Sequence, residues 1–304
     1  MKIRNKRKKI DIKETIILTA FVLPAVITIF LFNYMPMYGI QLAFREFSFK
    51  AGLTGGELVG LKYFKQFIEN YQFPILMRNT FFLCLFNIVL SFPAPIIIAL
   101  LFNQITNKRF KGLLQTVTYM PHFISVVVLV SIMNMLFAPD TGVIGQKIAE
   151  MGNYVNLLGS PKVFPWMYII SDIWQHCGWN AIIYLAALSS VDTQLYDACK
   201  MDGANRMQII RYVEVPTLVP TMVILLILSM GGILNANFDK VFLMQNPMNL
   251  NASEVISTYV YKVGITSSQI SYAAAIGLFS NLINVFFLLV TNTIAKKVSD
   301  ISII

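Results

Sequence analysis

The chain has 304 residues, 56% of them hydrophobic and 13% charged, with mean hydropathy +0.65 and net charge +9. A soluble domain of this length carries about 25% charged residues, so a disordered chain is ruled out and an ordinary cytosolic enzyme is disfavoured. Apolar stretches of about 20 residues recur, the length a helix needs to cross a hydrocarbon core of about 30 Å. They lack the period-2 alternation of a transmembrane barrel, so the expectation is an all-α membrane protein.

Taken in chain order, residues 1–14 form a basic tail holding seven Lys and Arg. The tail reads as a topology signal, and binding of anionic membrane lipid is the expected by-product of the same charges. A first span is predicted at 15–34; it is long and lacks a small-residue cleavage site, so it reads as an uncleaved helix and not as a secretory leader. An outer loop follows at 35–79. Five more spans are predicted at 80–102, 117–137, 163–190, 217–236 and 273–294, a five-helix core over 80–294, before a short tail at 295–304. The loops at 35–79 and 237–272 are each long enough for a small cap. Fifteen Lys and Arg fall on the side of the two tails and the 103–116 and 191–216 loops, against nine on the other side. Short loops dominate the positive-inside rule, so both termini are expected in the cytoplasm. That distribution accounts for the positive charge, and no nucleic-acid partner is expected.

Chemistry-bearing motifs are sparse. The string Gly55 to Lys62, GGELVGLK, fails the spacing of a phosphate loop and falls on the outer side. HExxH, GxSxG and SxxK are absent, and His122 and His176 are too few for a histidine-built metal site. Cys84, Cys177 and Cys199 have neither disulfide-framework nor zinc spacing. No catalytic residue, metal or bound cofactor is expected in this chain. No internal repeat of the inverted kind used by secondary carriers is visible.

The loop after the fourth span reads SVDTQLYDACKMDGANRMQIIRYVEVPTLVP. A short helix is predicted over Leu195–Met201, capped by Asp192 or Thr193, then a break at Gly203 and a second helix over Ala204–Val213. Pro216 and Pro220 mark the start of the next span. Ala198 and Ala204 leave room for a close-approaching surface, and Met201, Met207 and Ile210 can fill a hydrophobic groove. The bland alternative is an amphipathic loop lying on lipid.

This loop resembles the EAA motif of permease subunits of ATP-binding-cassette importers, whose pattern is EAAxxxG, nine residues, then IxLP. Here it runs Asp197-Ala198-Cys199, three residues, Gly203, nine residues, Val213-Glu214-Val215-Pro216, with Asp202-Gly203-Ala204 matching the sugar-permease version. Residues 32–67 and Asn79-Thr80 resemble carbohydrate-importer permeases, especially the Gram-positive group handling complex oligosaccharides. The resemblance implies a six-helix type I importer permease fold in a bacterial plasma membrane, forming half of a pore. Implied partners are a second permease subunit, two ATPase subunits that use ATP and Mg, an extracellular sugar-binding lipoprotein and an oligosaccharide substrate. The implied ATPase-docking residues are Asp197, Ala198, Cys199, Met201, Asp202, Gly203, Ala204, Met207, Ile210 and Pro216.

Polar residues in a span are costly and face a cavity or another helix. Asp172, Gln175, His176, Trp179 and Asn180 share one face of the fourth span and form a candidate sugar path. Asn87, Ser91, Asn134, Asn235, Asn281 and Asn284 could add polar groups from other spans. The same residues could instead hold helices together. Two rivals stand beside the importer reading: an ion-coupled carrier using Asp172, and an intramembrane enzyme or sensor using Asp172 and His176. Within the importer class, a permease for a peptide, phosphate or osmolyte is the alternative to sugar.

Overall fold

The computed structural model describes residues 12–50, 52, 56–151 and 156–299, so most of the basic tail and the last five residues lie outside the described part. Among the described residues the chain is helical, with two isolated bridges, Arg45 to Leu58 and Ser48 to Gly52.

Helix α1 (Ile12–Ile29) continues through a π turn (Phe30–Tyr34) and a 3-10 segment (Tyr38–Phe44). Together they make a rod, Thr15–Phe44, with none of its most apolar stretch buried within the chain. Only its C-terminal end is anchored, where Leu42 and Ala43 are buried and the 3-10 segment packs on the final helix. After α2 (Lys62–Ile68), helices α3 (Phe73–Ser91) and α4 (Pro93–Asn103) form one apolar span of 31 residues. It starts seven residues before the predicted 80, because Pro74 begins the helix within its first turn, where a missing N–H costs nothing.

The predicted third span is not one straight helix. Helix α5 (Lys108–Tyr119) passes into a 3-10 turn (Met120–Phe123), and α6 (Val126–Phe137) leaves at 96° to it. Pro121 lies in the turn, and the Ser125 hydroxyl accepts from the Val128 N–H to start α6 afresh. Helix α7 (Val143–Glu150) leads to α8 (Phe164–Ser189), whose 26 residues cover the predicted fourth span. Then come α9 (Thr193–Met201) and α10 (Arg206–Ile209), which runs through a π turn (Ile210–Glu214) into α11 (Val215–Met230). The cap between spans contains α12 (Phe238–Met244) and α13 (Ile256–Tyr261), and α14 (Ile270–Ser299) closes the chain.

Four helices among the described residues are long and apolar enough to cross a membrane, or five if the bent pair counts as one. Helix α8 is not among them. At 1.5 Å per residue it is about 39 Å long, but Asp172, Gln175, His176 and Asn180 dilute its hydropathy.

Helix α8 is the hub. Tyr184 and Leu188 pack with Ala99 of α4 and Leu218 of α11, while Phe164, Tyr168 and Ile169 pack with Leu83 of α3, Met133 of α6 and Val241 of α12. Gly178 lets α8 approach α5: a Cβ there would lie 2.2 Å from the Thr118 carbonyl oxygen. A second cluster joins α2 and α3 to α14 through Phe67, Leu76, Tyr272 and Ile276.

Candidate coupling loop and cavity wall

The loop between α8 and α11 is built from local signals. The Asp192 carboxylate accepts the Gln194 N–H at 2.9 Å, capping α9. At the other end Gly203 takes φ +75°. The Gly203 N–H bonds the Lys200 carbonyl at 3.1 Å and the Ala204 N–H the Cys199 carbonyl at 2.9 Å, which is the Schellman pair that closes a helix on a left-handed glycine. Two residues on, Asn205 and Gln208 exchange hydrogen bonds of 2.7 and 2.9 Å in a capping box that starts α10. The predicted second helix therefore starts at Arg206 and not at Ala204, and it does not stop at Val213 but continues into the span.

Two helices meet at a fixed corner, with apolar tips outward. Met201 is 88% and Met207 69% exposed. Asp197, Ala198, Asp202, Gly203 and Pro216 are also exposed, while Cys199, Ala204 and Ile210 are half-buried. The interior of the corner holds a residue that sequence reasoning assigned no role. Glu214, 1% exposed, accepts from Asn103 Nδ2 at 2.6 Å, from Gln104 Nε2 at 3.0 Å to each oxygen, and from the Tyr196 hydroxyl at 3.3 Å. Burial raises the Tyr196 phenol above its ordinary pKa, with the Asn103 hydrogen bond opposing, so the phenol stays protonated as the donor.

The polar face of α8 divides. Asp172, Trp179 and Asn180 line an open cavity of about 760 Å³, together with Asn87 and Ser91 of α3 and Ser229 of α11. Gln175 turns away: it is 2% exposed and donates to the Ile124 carbonyl at 2.8 Å, clasping the break between α5 and α6. His176 faces the same break, with its Nδ1 3.0 Å from Nδ1 of His122. The His122 ring stacks on Trp179 at 4.5 Å and 3°. Asp172 accepts from Asn87 Nδ2 at 3.2 Å and from Lys240 Nζ at 3.3 Å, and Ser91 donates to Asn87 at 2.8 Å. Lys240 has no exposed side-chain surface and sits 5.0 Å from the Tyr168 ring centroid.

The remaining polar candidates lie elsewhere. Asn284 donates to Asn235 at 3.1 Å and accepts the Leu234 N–H, joining the turn after α11 to α14. Asn235 and Asn281 border a separate groove of about 620 Å³, and Asn134 borders another with Asn156 and Asn246.

A helical membrane subunit with a capped helical corner below and a polar-walled cavity between its helices is the architecture of a solute-translocating permease. The chain belongs to the family of binding-protein-dependent transport system inner membrane components, whose family model matches residues 91–300. It is 38% identical to the polygalacturonan/rhamnogalacturonan transport system permease protein YteP of Bacillus subtilis, covering 98% of this chain and 94% of that one. It is also 38% identical to protein LplB of the same organism, covering 90% and 87%. Its fold matches a chain of a crystal structure of a bacterial alginate ABC transporter in complex with an alginate pentasaccharide-bound periplasmic protein, with TM-score 0.87, 32% identity and coverage of 96% and 98%.

Proposed function

We propose that this chain is one of two permease subunits of an ATP-driven oligosaccharide importer, with six spans and both termini in the cytoplasm of a Gram-positive bacterium. The observation that carries the reading is the Schellman-closed corner at Gly203, which presents Met201 and Met207 outward and runs without a stop into α11. A rigid corner continuous with a span transmits displacement; a lipid-lying loop has no need of either property. Two ATPase subunits supply the ATP and Mg chemistry, and one of them docks on this chain through residues 197–216. An extracellular lipoprotein delivers sugar to the opposite mouth.

Oligosaccharide is the favoured cargo because YteP and the alginate transporter are named for polysaccharide systems. Carboxylate, amide and hydroxyl groups beside Trp179 suit a sugar, whose hydroxyls bond to the polar groups and whose C–H faces pack on the ring. Asp172 already holds Lys240 and Asn87, which leaves little of it for the ion-coupled carrier reading.

The experiment is a co-purification of the chain with its partner permease and ATPase, native against Gly203→Val. A β-branched residue is strained at φ +75° and opens the corner, at a position where an added Cβ meets no atom within 4 Å. The native chain retains the ATPase, and Gly203→Val loses it while the permease pair stays intact. A native pair that retains no ATPase overturns the reading.

A further inference from the structure

We propose that Glu214 is the latch through which movement of the docking helix α9 reaches the cavity wall, a positioning residue that neither touches the ATPase nor the cargo. The inference rests on the reading of the 191–216 loop as the ATPase-docking element.

A carboxylate removed from water needs either a cation or a full set of donors. Among the described residues no Lys or Arg pairs with Glu214; its oxygens are held by Asn103, Gln104 and Tyr196 alone. These partners come from different elements. Tyr196 belongs to α9, Glu214 closes the π turn at the head of α11, and Asn103 and Gln104 end α4. The Asn103 amide also donates to the Tyr196 hydroxyl at 3.3 Å, closing a ring of hydrogen bonds. Helix α4 in turn packs its buried Ala99 against Ala181 and Tyr184 of α8, and Tyr184 lines the cavity. One charged side chain thus joins the docking helix, the next span and the helix behind the cavity wall.

Hydrogen bonds to a charged group are directional and about twice as strong as neutral ones, so α9 cannot rotate without carrying α4 or breaking the ring. The π turn contributes to the same end. It inserts an extra residue in one turn, and Glu214 is the last residue of that turn.

The test uses the complex of the permease pair with its ATPase subunits, in nanodiscs. The reporter is Ser229→Cys in the cavity, with Cys177→Ser; the same complex with Ser229 kept gives the labelling of Cys199, which is subtracted. The readout is the rate of labelling by a maleimide dye with and without ATP, Mg and vanadate. With Glu214 in place the nucleotide changes the rate severalfold. In Glu214→Gln the ATPase stays bound but the response falls severalfold, because the side chain loses its charge and the second oxygen that accepts from Gln104, and turns an N–H toward that donor. The exchange Glu214→Gln with Gln104→Glu restores the acceptor and the response. Should Glu214→Gln keep the permease pair itself from forming, Tyr196→Phe, which removes one donor at nearly constant shape, reduces the response instead. A full response in Glu214→Gln, or in Tyr196→Phe where that is the variant read, overturns the latch. Loss of the ATPase from Glu214→Gln alone also overturns it, because the residue then serves docking. A complex that holds no ATPase even with Glu214 in place overturns the docking reading and the latch with it.

Discussion

Lys240 has no exposed side-chain surface, and its ammonium lies between the Asp172 carboxylate and the Tyr168 ring. Desolvating both charges is expensive, and removing one partner leaves the other uncompensated, a loss of about 3–5 kcal/mol. Lys240→Met is therefore expected to lower the melting temperature of the purified chain, and Lys240→Met with Asp172→Leu to recover most of it. Equal melting of the single and double variants would show that the pair is not coupled. The sequence made only half of this pair visible. Asp172 stands out as an acid inside an apolar stretch, but Lys240 is 68 positions away in a segment assigned to the outer loop. Glu214 was hidden for a similar reason: it falls in a variable position of the IxLP string, and its donors come partly from Asn103 and Gln104, more than 100 residues earlier. Gly203, by contrast, announces itself, because its Schellman bonds run within one turn of chain.

The elements that the sequence located best are those bounded by local chemistry. Asp192 and Gly203 bracket α9 to within two residues of its predicted span, and α14 contains the whole predicted sixth span. The bend in the third span was not legible, because hydropathy runs on across Pro121 and Ser125 while the backbone turns by 96°. What holds the bend lies on another element: the Gln175 amide donates to the Ile124 carbonyl from α8. Gly178 sets how closely α8 and α5 meet, as small residues do where membrane helices touch. Gly178→Leu is expected to force these helices apart, at a cost of about 1–3 kcal/mol for overpacking. The check is the melting temperature together with accessibility of the neighbouring Cys177, half-buried in the native chain, to a thiol reagent. Unchanged values for both would mean that Thr118 moves aside freely.

At the scale of the molecule, packing divides the chain unequally. Helices α2, α3, α4, α6, α8 and α11 to α14 share three core clusters, and α1 contributes to none of them. A chain lacking residues 1–34 is accordingly expected to melt at the same temperature as the full chain when both are purified without partners; a clear drop would reveal a hidden contact. Composition and period made the helical membrane class legible, since both are averages over many residues. They could not show which helix stands apart, because an apolar helix facing lipid and one facing its own chain have the same hydropathy. That separation bears on how the protein is made. The stretch 15–34 is made before the core helices that follow it, and its most apolar part is buried against none of them. Its lodging in the membrane depends on its own hydropathy and on the basic residues that precede it. Correcting an error made there from within the chain falls to the contacts of Tyr38–Phe44, chiefly with α14.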